Sequence, residues 1–177
     1  MEIRPVDKLI LTLLIDLHRA NNISSSLDTD FVEEIIDSNN HWALSWQYPG
    51  MFPDEKTPSE VKEVCNILDM WDHIEYSYQI LNQTEKELIV GTLKSEPKFK
   101  GFDGNNEYKQ LGIIDILVNK MDRYQFLKNR YINSHMPMID IYQNQLVQYN
   151  EITEQSEIPS ALTAENIIEI IRRGREW

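Results

Sequence analysis

Cysteine is almost missing from this chain of 177 residues. Cys65 stands alone, so no internal disulfide can brace the fold, and a chain of this length holds itself by burying a core. Basic residues are short as well. Lys and Arg number 17 against 29 Asp and Glu, a formal net charge of −12. That balance excludes ordinary binding to a phosphate backbone, whose affinity comes from clustered cations releasing counterions. Long apolar runs are lacking too. The richest, Leu9 to Leu17, is interrupted by Asp16 and His18, well short of the ~18 residues a membrane span needs. It reads as a core helix. No basic and apolar leader resembling a signal peptide opens the sequence, and with a lone cysteine a reducing cytoplasm is the expected setting.

Catalytic signatures are equally scarce. No Ser sits in a nucleophile elbow, only His18, His41, His73 and His135 are available as bases, and no acid–base pairing follows from spacing. Cys65 falls on an apolar helix stripe beside Val61, Val64 and Leu68, where a thiol is usually buried and inert. No cofactor is expected. The one basic cluster, Arg172, Arg173 and Arg175, complements the dipole of a final helix that Gly174 helps to end. A docking patch for an acidic partner is the other reading of it.

What is present is helix. One helix opens near Pro5 and carries Val6, Leu9, Ile10, Leu13, Leu14 and Leu17 at helical spacing, a face expected to be buried. After the polar Asn21 to Ser26, Asp28 caps a second helix that buries Phe31, Val32, Ile35 and Ile36 and closes at Asp37 to Asn40. Thr57-Pro58-Ser59-Glu60 is a capping box, with Thr57 and Glu60 as its reciprocal partners, and it opens a third helix over about 58–81. That helix carries two apolar stripes, Val61, Val64, Cys65, Leu68 and Trp71 on one and Ile67, Trp71, Ile74, Tyr78 and Leu81 on the other. It is expected to be covered from two sides and to stand at the centre. Leu88 to Leu93, with its β-branched residues and no strand partner, reads as connector.

The turn Gly101-Phe102-Asp103-Gly104-Asn105-Asn106 precedes a long amphipathic helix expected from about Glu107 to Asn129. Its core stripe is Leu111, Ile114, Leu117, Val118 and Met121, and Asp103 is expected to cap its start. A glycine pair beside a helix start could also cradle a phosphate. The spacing matches neither the Walker nor the dinucleotide pattern, and Asp103 would occupy the anion position. Pro137 opens a further helix with Ile139, Tyr142, Leu146 and Tyr149 as its buried edge, and residues 151–159 form a short polar linker. Thr163 then caps a last helix, over 163–175, whose Ile167, Ile168, Ile170 and Ile171 dock back on the body or on a neighbouring subunit. The fold class is therefore all-α, one compact domain of about six helices.

Several motifs in the same order along nearly the whole chain resemble the YfbU family. They are Lys8-Leu9-Ile10-Leu11, Ile67-Leu68-Asp69-Met70-Trp71 with Ser77-Tyr78, Gly101-Phe102-Asp103 followed by Tyr108 and Leu111-Gly112, and Leu162-Thr163-Ala164-Glu165. The resemblance implies a compact multihelical domain of bacterial or phage source, with Gly101, Phe102, Asp103, Tyr108 and Leu111 as family-motif positions. It implies no cofactor, catalytic set or activity. The segments His41 to Asp54 and Glu151 to Pro159 depart from the pattern, so nothing is carried over there.

Two clusters carry the functional readings. Asp69, Asp72, His73 and Glu75 share one helix, with Asp69 and His73 at the i, i+4 spacing that can place two ligands on one metal. Partner ligands would be Asp115, Asp122 and His135, and the opposing reading is a solvated helix face. The segment from His41 to Phe52 concentrates Trp42, Trp46, Tyr48, Met51 and Phe52 around Pro49-Gly50. It is either an aromatic lid over the core's edge or a partner surface. The favoured function is a non-enzymatic helical protein–protein interaction module that self-associates as a dimer or larger, with no nucleic acid or membrane partner. The alternatives are an acidic mimic of nucleic acid that blocks a basic partner and an enzyme or metal-binding bundle using Asp69, Asp72 and His73.

Overall fold

A computed structural model describes residues 3–51, 56–154 and 160–174. The chain divides into two compact units, Met1–Pro58 and Ser59–Trp177. Among the described residues there are eight α-helices and no strand, with one isolated bridge between Phe102 and Asn133.

The first unit holds α1 (Pro5–Ala20), α2 (Thr29–Asp37) and α3 (Trp42–Gln47). Pro5 starts α1, where its missing N–H costs nothing. Asp28 caps α2 as expected, its Oδ1 accepting from the N–H groups of Asp30 at 3.0 Å and Phe31 at 3.1 Å, and α2 buries Phe31, Ile35 and Ile36. The expected burial on α1 is overturned. Val6, Leu9, Ile10, Leu13, Leu14 and Leu17 are all outward, and Ile15 is its buried residue. Periodicity locates an apolar face but not its partner, and here ionic contacts turn a different face toward α2.

The second unit is built around α4 (Ser59–Ile80), which touches α6 (Tyr108–Asp115), α7 (Ile139–Thr153) and α8 (Ala164–Arg173). Of the two stripes Val61, Val64, Ile67, Leu68, Trp71 and Ile74 are buried, with Met70 beside them, whereas Cys65, Tyr78 and Leu81 are half-buried. Leu88 to Leu93, expected as connector, lie instead within α5 (Gln83–Leu93). Asn82 and Glu85 make a reciprocal capping box that starts this helix, and Ile89 and Leu93 supply a buried face on the element that packs against α8. Local capping plus a partner outweighed the β-branched composition.

The long helix expected to run to Asn129 stops early. After α6 a π-helical turn covers Ile116–Lys120, closed by the bond from Met121 N–H to the Ile116 carbonyl at 3.0 Å. That wide turn brings Ile116, Leu117 and Val118 inward together, which a regular helical stripe would not do. Asp122 and Tyr124 then take left-handed φ of 52° and 47°, and a 3₁₀ turn, Gln125–Leu127, follows. Ile114, Leu117 and Val118 are core as expected, whereas Leu111 and Met121 are half-buried and Tyr108 is 62% exposed. In α7 the core edge is Ile141, Tyr142 and Gln145, with Ile139, Leu146 and Tyr149 half-buried. α8 docks on α5 and α7 through Ile167, Ile170 and Ile171, and Thr163 caps it in a box with Asn166.

Asp103 does not cap α6; Glu107 occupies the cap position. The Asp103 carboxylate instead closes its own turn, accepting from the Asn105 N–H at 3.2 Å and from the Asn106 amide. Gly101 is required there by geometry. Its φ is +84°, and an added Cβ would lie 1.6 Å from the Ile132 carbonyl oxygen, in the backbone pair where Phe102 N–H donates to that carbonyl at 3.1 Å. Gly101→Ala is expected to lower unfolding free energy by about 3 kcal/mol or more, read by chemical denaturation.

Candidate functional site

The first candidate is the outer face of α1. Toward α2 this helix presents Lys8, whose Nζ pairs with Asp37 at 2.9 Å, and Arg19, whose guanidinium pairs with Asp30 and, at 2.7 Å, with Glu33. The Arg19 pKa is raised by its bonds to Glu33 and Asp30. Ile15 lies on this inward side. The opposite side carries Val6, Leu9, Ile10, Leu13, Leu14 and Leu17, each between 50% and 59% exposed. Six half-exposed side chains offer on the order of 600 Å² of apolar surface, the upper end of the largest patch found on an ordinary monomer. Val6, Ile10, Leu13 and Leu17 follow the alternating four and three spacing of a coiled-coil seam, with Leu9 and Leu14 beside it. None of these side chains is charged.

The aromatic segment lies mostly inward. Trp42 is buried on α3 and donates through Nε1 to Asn40 Oδ1 at 3.1 Å, while Trp46 donates to Thr57 Oγ1 at 2.9 Å. The Tyr48 hydroxyl accepts from the Asp28 N–H at 3.0 Å, and its ring meets Phe31 edge-on at 6.2 Å. Met51 is 57% exposed, and Phe52 lies outside the described residues. Glu60, at the start of α4, is held below the usual carboxylate range by its own N–H and by the Ser59 hydroxyl, which donates to it at 3.0 Å.

The acidic residues of α4 point to separate partners. Asp69 accepts from the Tyr124 hydroxyl at 2.8 Å. His73 pairs through Nδ1 with the Tyr149 hydroxyl at 3.0 Å and through Nε2 with the Ser160 carbonyl at 3.1 Å. Asp72 is exposed, and partial burial, then the Asp69 and Glu75 carboxylates, raise its pKa. Asp115 accepts from Asn119, Asp122 pairs with Lys128, and His135 bonds Tyr131. Among the described residues no group of three or more His, Cys, Asp or Glu gathers to hold a metal ion. Cys65 is half-buried, and burial pushes its thiol pKa up, away from the thiolate that reactivity needs.

Glu75 departs from the solvated-face reading. It is 7% exposed and accepts from the Phe99 N–H at 2.9 Å and from both Arg130 terminal nitrogens at 2.9 and 2.7 Å. A second buried carboxylate, Glu107, accepts from the N–H groups of Asp103 at 2.8 Å, Met138 at 2.7 Å and Ile139 at 2.8 Å. These bonds spend the N–H groups of the glycine turn. Asp103 N–H goes to Glu107, Gly104 N–H to Asn133, and Asn105 N–H to Asp103, so the turn is scaffold rather than a phosphate cradle. Sequence reading placed Glu75 in the acidic cluster of α4 without its buried role, and missed that of Glu107. Glu75 was detectable from its register, four residues after Trp71 and seven after Leu68 on a buried stripe; Glu107 carries no comparable local signal.

Glu75→Ala is expected to destabilise the fold by about 3–5 kcal/mol, since it strands the partly buried Arg130 and the Phe99 N–H, and Glu75→Gln by less; denaturant titration distinguishes them. The Asp103 carboxyl lies below the usual carboxylate range, chiefly through the Asn106 amide and then the Asn105 N–H. A depressed folded pKa stabilises above the unfolded value of about 4 and is lost as pH falls through the folded value. Melting curves from neutral to acid pH should therefore show a steeper acid loss in the native chain than in Asp103→Asn.

Comparison with known proteins places this architecture. The curated relative UPF0304 protein MJECS11 of Methanocaldococcus jannaschii is 33% identical over 94 residues, which cover 50% of this chain and 54% of that protein. The chain thus spans about half the length of this relative. No solved structure matches. Among the described residues no helix is long and apolar enough to cross a membrane. The model of the YfbU domain matches residues 1–172, and the chain belongs to the YfbU family.

Proposed function

We propose that this chain is a non-enzymatic, helical protein–protein interaction module that assembles with a second copy of itself through the outer face of α1. The observation that carries the reading is the six-residue apolar face left in water on that helix. A second copy is the occupant that fits best. Two such faces brought together remove about 1,200 Å² from solvent, the lower end of a standard stable interface. The three-four spacing suits helix against helix, and the absence of charge on the seam matters because two chains of −12 repel one another. A partner relying on charge would find nothing to pair with there. A cytoplasmic setting accords with the lone Cys65, kept as thiol by burial.

Sedimentation equilibrium of the full chain tests the reading. The native protein is expected to be a dimer or larger, and to tighten as added salt screens its charge. Leu13→Asp is expected to weaken association by about tenfold or more while leaving the helical circular dichroism unchanged, because Leu13 is 55% exposed and outside the buried core. A native protein that stays monomeric at all concentrations, or a Leu13→Asp variant that assembles as tightly, overturns it.

A further inference from the structure

α8 packs on α5 and α7 through Ile167, Ile170 and Ile171, and its other side is a ridge that nothing above uses. Glu165, Glu169, Arg172 and Arg173 are exposed along that ridge, and Ile168 among them is half-buried. It borders a groove of about 510 Å³, to which α5 contributes Leu88, 48% exposed, and Thr92.

Charge is sorted by position on the ridge. The two carboxylates come first and the two guanidiniums stand in the last turn, an order that suits the helix dipole. It also leaves two charges unanswered. Among the described residues neither Glu165 nor Arg172 has a hydrogen-bond or ion-pair partner for its side chain. They lie seven residues apart, about two turns and roughly 10 Å along the axis, too far to pair within one helix. Glu169, between them, is already engaged: it accepts from Gln148 Nε2 at 3.0 Å, which draws it toward α7.

A reversed copy of the same helix supplies what each lacks. With a two-fold axis crossing between Ile168 and Glu169, Glu165 of either chain comes level with Arg172 of the other, so both charges are answered by one symmetric contact. Ile168 then lies at the axis with Leu88 alongside, and the two helix dipoles oppose. A parallel pairing would set Glu165 on Glu165 and Arg172 on Arg172. The ridge also carries as many bases as acids, so close approach here escapes the repulsion that a net charge of −12 imposes elsewhere.

We propose that α8 is a second self-association surface, an antiparallel, charge-paired contact between two copies of this chain. It is distinct from the outer face of α1 and does not depend on it. A ten-residue helix offers less than a standard stable interface, so the contact is weak. Where both contacts form, α8 links α1 dimers into larger assemblies. Salt acts on the two in opposite directions, strengthening the uncharged seam between like-charged chains and weakening the charge pairs of α8.

The test is sedimentation of full-length chains that all carry Leu13→Asp, which removes the α1 contribution. Expected is weak association at low salt that falls about tenfold at about 0.5 M salt. Adding Glu165→Arg or Arg172→Glu should each weaken it about tenfold with the circular dichroism unchanged, and Glu165→Gln by less. An equimolar mixture of the two reversed chains should regain the parent affinity, since each then meets its opposite at both ends of the ridge; both chains remain net negative, so overall attraction does not account for the recovery. A Leu13→Asp chain that is monomeric at low salt, reversals without effect, or a mixture no tighter than either variant alone overturns the proposal. None of these outcomes bears on the salt-tightened dimer expected of the α1 face in the native chain, so the two readings fail separately.

Discussion

One buried carboxylate determines where the irregular half of the larger unit runs. Glu75, near the C-terminal end of α4, takes the Phe99 N–H and both prongs of Arg130, and so fastens two largely irregular connections, residues 94–107 and 121–138, to the central helix. A carboxylate without such partners would be too costly to bury, and the connections without it would leave donors unpaired. With Phe99 fixed, its ring stacks on Tyr142 at 5.3 Å and meets Trp71 at 6.1 Å and Phe102 at 5.8 Å. The aromatic hub of α4 and α7 therefore hangs on a polar contact. Glu107 repeats the device, holding the N-terminus of α7 against the glycine turn.

These connections are where sequence reasoning was weakest, and the reason is physical. Caps are local, so Asp28 and Thr163 could be read from residues two or three positions away. Helix-period burial is local too, and it located the two covered stripes of α4 and the docking isoleucines of α8. Glu75 and Glu107 satisfy donors 24 to 55 residues distant, a relation that no window along the chain reveals. The end of the helix at Lys120 was hidden for a similar reason, because a π-helical turn preserves an apolar pattern while shifting its register. The Asn82–Glu85 box is a local start signal for α5, opposed in the sequence by the β-branched Ile89 and Val90 that follow it.

The candidate sites divide along the same line. The aromatic segment from Trp42 was weighed as lid or partner surface, and its indoles and Tyr48 engage Asn40, Thr57 and Asp28 within the first unit. The α4 cluster of Asp69, Asp72 and His73 could be seen in the sequence; that Asp69 and His73 bond separate partners while Asp72 is exposed could not. For α1 the sequence displayed the correct face and withheld its direction. Lys8 and Arg19 select the side that meets α2, and the leucine-rich side is left outward. An apolar face of that extent, in a chain of high negative charge, is what the proposed association rests on.

The central claim is that this face is covered by the same face of another copy. Its most direct measurement is an isotope-filtered NOE experiment on a mixture of ¹³C-labelled and unlabelled full-length chains. The account predicts intermolecular NOEs from the methyl groups of Leu9, Ile10, Leu13 and Leu17 to α1 of the partner. Methyl groups of α1 that show only intramolecular NOEs, or intermolecular ones confined to other elements, would contradict it.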